Sequence, residues 1–249
     1  MLPQLTPENR SDAELIRSNR GFYESLWAQA KLVDPARFNT WPLLQELSQQ
    51  ASRRLEVAPG LRPRLPLQGT CFIDLSRAAL RQLQASGANA AHGMIGALPC
   101  RDASFDLICA LDILEHVTDD GGALAELARV AAPGAQMLLS VPLHPAAWTA
   151  FDEFVGHCRR YEPERIVALL KQHGFHLEQS AVYGMQPRSP RLLNLGQWFL
   201  THRRARAMWW YNRVFMPLAL RFQQPLRWRD GLGETHGVDE VLLHCQRVG

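Results

Sequence analysis

The sequence predicts an α/β chain built on a doubly wound, mostly parallel sheet. Two observations point there. Between about residues 53 and 183, short apolar runs alternate with helix-patterned stretches, the order that puts helices on both faces of a parallel sheet. Acids and a Pro-Gly turn stand where those runs end, and such sheets bind ligands at the carboxyl ends of their strands. The 249 residues, 47% of them hydrophobic, suffice for a full core.

Residues 1–50 read as a helical arm. Ser11 followed by Glu14 has the form of a capping box, and Leu15, Ile16, Phe22, Tyr23, Leu26 and Trp27 recur at helix-like spacing. Asp34-Pro35 breaks the pattern, and Thr40-Trp41-Pro42 restarts it. Such an arm either packs on the core or acts as a lid over a ligand site.

The core is expected over 51–185 and 237–249. Arg54–Val57, Cys71–Asp74, Phe105–Leu111 and Gln136–Val141 read as strands, and Val238–Val248 as a final one. Arg77–Ser86, Gly121–Ala131 and Pro163–His173 read as helices, the last ending before Gly174. Between them, 186–236 reads as a helical cap over the sheet's ligand end. It carries Trp198, Phe199, Trp209, Trp210, Tyr211, Phe215, Phe222 and Trp228 among many arginines. Its aromatics suit an amphipathic cap, a pocket for a large apolar acceptor, or peripheral contact with a membrane surface.

Bulk properties narrow the class. The net charge of +3 does not call for nucleic acid, because the basic excess is confined to one segment. Five cysteines without C-x-x-C spacing predict reduced thiols, no zinc or other metal site, and a cytoplasmic protein. Met1 to Asn19 has no apolar run of the signal-peptide kind. The apolar stretch from Ala207 to Leu220 is interrupted by Asn212 and Arg213, too short and polar to span a bilayer.

The candidate site lies at the strand ends. The first strand runs into Glu56-Val57-Ala58-Pro59-Gly60, and a glycine turn there lets backbone approach a ligand. The second ends in Asp74, an acid able to accept hydrogen bonds from both hydroxyls of a ribose, or to cap the helix that follows. Leu98-Pro99 and Phe105-Asp106-Leu107-Ile108 come next, then Asp112-Ile113-Leu114-Glu115-His116-Val117. In that order these residues resemble the class I S-adenosylmethionine-dependent methyltransferases over roughly 50–183. The most specific stretch is LPCRDASFDLICALDILEHVTDD with LAELARVAAPGAQMLLSVP after it.

The resemblance implies a seven-stranded sheet, S-adenosylmethionine as methyl donor and S-adenosylhomocysteine as product. It implies a cofactor site of Glu56, Ala58, Gly60, Asp74, Met94, Ile95, Ala110, Leu111 and Asp112. Glu56 would lie near the methionine ammonium, Gly60 would leave room for the sugar and methionine portion, and Asp74 would hold the ribose. Ala110, Leu111 and Asp112 would flank the methionine end. This chain departs from the family at three places. Ala58 stands for the first glycine. About ten residues with Pro63 and Pro66 replace the usual first helix, which predicts a turn or 3₁₀ segment. Met94 stands where an acid often meets adenine.

The acceptor side is expected after the fifth strand, in the string Gly156-His157-Cys158-Arg159-Arg160-Tyr161, which resembles a segment common in such enzymes. His116 and His157 are the candidate acid–base groups, because imidazole titrates near neutral pH. Alternatively, Arg159 and Arg160 fix the loop by pairing with Asp152, Glu153 or Glu162. The acceptor is expected to be small or lipid-like. Two rival readings are a degenerate methyltransferase fold that only binds, and a nicotinamide-dependent oxidoreductase, whose G-x-G-x-x-G is absent.

Overall fold

The computed structural model describes residues 21, 23–24, 26–28, 30–184, 198–199 and 202–248. Ser11, Glu14, Leu15, Ile16 and Phe22 lie outside them. Eight strands form one sheet: β1 (Arg54–Val57), β2 (Thr70–Asp74), β3 (Asn89–His92), β4 (Phe105–Ala110), β5 (Ala131–Pro142), β6 (Phe175–Tyr183), β7 (Arg229–Asp230) and β8 (Glu240–Arg247). Their spatial order is β3-β2-β1-β4-β5-β8-β6-β7. The first five neighbours pair in parallel, and β8 runs antiparallel between β5 and β6. The expected seven strands become eight. Arg229 and Asp230, inside the segment read as the cap, bond to Ser180 and Gln179 at the sheet edge.

The helices are α1 (Trp41–Gln50), α2 (Arg77–Ala85), α3 (Asp120–Val130), α4 (Ala150–Val155), α5 (Pro163–Gln172), α6 (Arg204–Trp210) and α7 (Met216–Arg221). Their starts follow local chemistry. Ser76 caps α2 through Ala79 N, Asp119 caps α3 through Gly122 N, and Thr149 with Asp152 closes a capping box on α4. The sequence also reads the break at Asp34-Pro35 correctly: Asp34 caps a single 3₁₀ turn, Pro35–Arg37.

The main core fills one face of the sheet. There Leu55, Ile108, Leu139 and Leu243 from four strands meet Leu124, Leu127, Ile166 and Leu170 from α3 and α5. On the other face Leu107, Cys109, Leu138 and Leu242 meet Leu44 and Leu47 of α1. Two opposite apolar faces per strand explain why β4 reads as a continuous apolar run. Between β1 and β2 there is no helix, only turns, as Pro63 and Pro66 demand.

Candidate active site

All the strand ends that carry the expected cofactor residues meet at one edge of the sheet. Strain collects there. Ala58, Asp112 and His144, after β1, β4 and near the end of β5, hold left-handed φ values of 56°, 52° and 59°. Non-glycine residues tolerate that conformation only when neighbours enforce it. At Ala58 the backbone takes the form a glycine would take without strain.

Glu56 and Asp74 are buried and shape the turn between them. The Glu56 carboxylate accepts from Arg64 N at 2.8 Å and Leu65 N at 2.9 Å, so it closes the loop that replaces a first helix. Burial outweighs these bonds and pushes Glu56 up to about 7. Asp74 accepts from Gly60 N at 2.9 Å and Ser76 N at 2.7 Å. It therefore joins the glycine turn to the start of α2.

The arm covers this half of the site. A Cβ on Gly60 would collide with the Trp27 indole, so the space the glycine leaves is taken by that ring. Glu24 anchors the arm by accepting from Ser76 Oγ at 2.7 Å and Ala78 N at 3.1 Å, at the positive end of α2. Arg62 lies 5.2 Å over Trp27 and 5.0 Å over Tyr211, which ties the arm to the cap. The described part of the arm packs Leu26, Trp27 and Ala30 against Leu61, Ala78 and Ala79.

The other half stays open. Asp112, just past β4, is exposed to solvent. Its backbone N–H donates to Ser140 Oγ at 2.8 Å, and Ser140 Oγ donates back to its carboxylate. Asp112 and Glu240 are neighbouring carboxyl groups. Crowding and the Asp112 charge push Glu240 well above the carboxylate range. Crowding opposes the Asp112 charge, but the Glu240 and Ser140 hydrogen bonds and Arg64 hold Asp112 below its usual value. Arg64 is a buried cation at the same edge. It donates to Tyr183 Oη at 3.0 Å and lies 3.6 Å from the Phe38 ring centre. Of the remaining candidates, Ala110, Leu111 and Ile95 are buried and Met94 is 42% exposed beyond β3.

Two histidines meet near the same strand ends, with ring centroids 4.7 Å apart. His116 sits in a 3₁₀ turn, Leu114–His116, ahead of α3 rather than in its first turn. Its Nδ1 faces the Gly156 carbonyl at 3.2 Å and must donate, so Nε2 accepts from Tyr23 Oη at 3.1 Å. Burial, then His157, lowers His116 to about 3, and it stays neutral. His157 Nδ1 faces Asp152 at 2.9 Å, and its Nε2 lies 3.8 Å from Glu115. Burial, then the Asp112 charge, pushes Glu115 well above the usual carboxylate range. Donor atoms of Glu115, His116 and His157 lie within 4.8 Å of one another, near enough to share a proton or a small cation.

The arginines of the same string do fix the loop. Arg160 pairs with Asp152 at 2.9 Å and Asp239 at 2.6 Å. Arg159 instead reaches Asp120 of α3 at 2.6 Å, and Tyr161 donates to that acid too. Sequence reading missed Arg64, Ser140, Tyr183 and Glu240 as site residues. The Thr149-x-x-Asp152 box five residues before His157 was the available signal for Asp152.

A mostly parallel sheet with two reversed strands, β8 and β7, toward one edge, and acids at or just past the ends of β1, β2 and β4, has the class I S-adenosylmethionine-dependent methyltransferase fold. Comparisons agree. A family model described as a methyltransferase domain matches residues 61–139. A protein of Mycolicibacterium smegmatis, named as a probable S-adenosylmethionine-dependent methyltransferase, is 31% identical over 93 residues. That match covers 36% of this chain and 35% of the relative, so the chain spans about a third of its length. Among solved structures, a SAM-dependent methyltransferase of Thermotoga maritima superposes with a TM-score of 0.54 at 14% identity, over 94% of this chain and 93% of that one. A phosphoethanolamine N-methyltransferase of Haemonchus contortus, solved with phosphomonomethylethanolamine and S-adenosylhomocysteine, gives 0.54 at 14%, over 98% and 62%.

Proposed function

We propose that this chain transfers a methyl group from S-adenosylmethionine to a small or lipid-like acceptor. One observation carries the reading: acids and a buried cation stand together at the carboxyl ends of the parallel strands. A bound S-adenosylmethionine has a ribose diol, an ammonium and a carboxylate. Asp74 suits the diol, Asp112, held in its charged form beside Glu240, suits the ammonium, and Arg64 suits the carboxylate. Glu56, with its oxygens on Arg64 N and Leu65 N, shapes the turn that presents them.

The cofactor supplies an already activated methyl group, so the protein's task is to orient an acceptor and remove a proton where needed. His157 is suited to the second role. Asp152 holds the proton on Nδ1 and leaves Nε2 to accept one. Glu115, whose carboxyl burial pushes well above the usual range, lies 3.8 Å from Nε2. His116 supports the Gly156 turn and the arm rather than acting as the base. The chemistry of the acceptor, whether an oxygen, nitrogen or carbon nucleophile, follows from what fits beside His157.

Calorimetric titration with S-adenosylhomocysteine tests the reading. Wild-type protein should bind, and Asp74→Ala should weaken binding about tenfold to a hundredfold through lost charge-assisted hydrogen bonds. No binding by the folded wild type would overturn it.

A further inference from the structure

The cap carries a surface that the methyl-transfer site does not use. From Gln179 to Arg229 the chain has nine arginines and no acid. Within it α6 runs into a π-turn, Tyr211–Phe215, and on into α7. The π-turn adds a residue to one turn and rotates the downstream face. As a result Met216 and Leu220 point inward onto Phe38, while Trp209, Arg213, Pro217 and Arg221 recur every four residues on the outside. Beside that row stand Trp210, Phe215, Leu218 and Phe222, exposed by 49%, 61%, 48% and 70%. Trp209 itself is 52% exposed and meets Trp210 edge to face.

An exposed patch of this size on a helix needs an occupant. We infer that the outer face of α6, the π-turn and α7 docks on an anionic lipid surface. Charge complementarity selects that occupant: arginines at 206, 213, 221 and 227 are exposed around the aromatics, with no acid in the segment to offset them. Guanidinium heads reach lipid phosphates while Leu218, Phe215 and Phe222 enter the acyl boundary. Tryptophans occupy the headgroup level. A second copy of the same face would set arginine against arginine. No helix among the described residues is long and apolar enough to cross a membrane, so the contact is peripheral. The inference does not depend on methyl transfer.

Co-sedimentation with vesicles tests it. Full-length protein should pellet with phosphatidylcholine vesicles containing about a third phosphatidylglycerol and stay soluble with phosphatidylcholine alone. Raising salt to about 0.5 M should weaken binding about tenfold, because screening shortens the reach of the arginines. Trp209→Ser with Trp210→Ser, and separately Arg213→Glu with Arg221→Glu, should each weaken binding at least about tenfold while far-ultraviolet circular dichroism is unchanged. All four side chains are exposed, and the two variants fail to fold for different reasons if either does. Equal pelleting with both vesicle types, or with neither, overturns the inference. So does tighter binding to a single-stranded oligonucleotide than to the anionic vesicles, or a dimer in solution that the tryptophan variant dissolves.

Discussion

Trp27→Ala should strengthen binding of S-adenosylhomocysteine. The indole lies on Gly60, and if Gly60 makes room for the cofactor's sugar and methionine portion, as proposed, entry moves the ring. A buried aromatic removes about 150–250 Å² from water. At about 25 cal/mol per Å² this is worth about 4–6 kcal/mol. Trp27 also packs on Tyr23 and Leu26 within the arm, contacts that move with it. The part lost on opening is roughly a third, or about 1.5–2 kcal/mol, and removing it should tighten binding about tenfold to thirtyfold. The assay is calorimetry at 25 °C on wild type and variant, with circular dichroism confirming that both are folded. Weaker binding by the variant would refute the reasoning, because it would mean that the ring stacks on the bound molecule instead of competing with it.

Other outcomes follow from single residues. Glu56 titrates at about 7 folded against about 4.5 unfolded. The folded state therefore holds more protons between those values, so unliganded stability should fall by about 3 kcal/mol as pH rises from 4.5 to 7. Glu56→Gln should flatten that slope in urea titrations at several pH values, and an unchanged slope would remove the assignment. Asp152→Ala strips partners from His157, Thr149 and the buried Arg160 guanidinium, and should cost about 3–5 kcal/mol in urea unfolding. A loss under about 1 kcal/mol would show that the loop stands without it. Ala58→Gly relieves left-handed strain at φ 56° and should stabilise by up to about 1 kcal/mol, a rise of a few degrees in Tm. A fall in Tm would show that the alanine methyl contributes more than its strain costs.

The readable parts of the fold are those buried on both faces. β1, β2, β4 and β8 carry apolar runs because the sheet is covered on either side. β6 carries the alternation of a half-buried strand along Phe175, His176, Leu177 and Glu178, a signal that sequence reading missed, and β3 gives little signal because Ala90 is the buried residue in an otherwise exposed edge. The first residues of β5 include Pro133-Gly134, which suggest a helix end; the register shift beside Phe105 absorbs them into the strand. At the site, Glu56, Gly60, Asp74 and Asp112 are readable because each stands at or just past the end of β1, β2 or β4. Glu240, Tyr183 and Arg64 are not. Glu240 comes opposite Pro142 and Tyr183 because β8 runs backwards between β5 and β6, and that register is a tertiary outcome. Trp27 reaches Gly60 by docking of the arm, and local pattern carries no trace of that partner.

A crystal structure with S-adenosylhomocysteine tests the central claim most directly. The account predicts the ribose hydroxyls on Asp74, the methionine end between Asp112, Glu240 and Arg64, and Trp27 moved off Gly60. Electron density for the molecule elsewhere on the chain, with Trp27 still seated on Gly60, would contradict it.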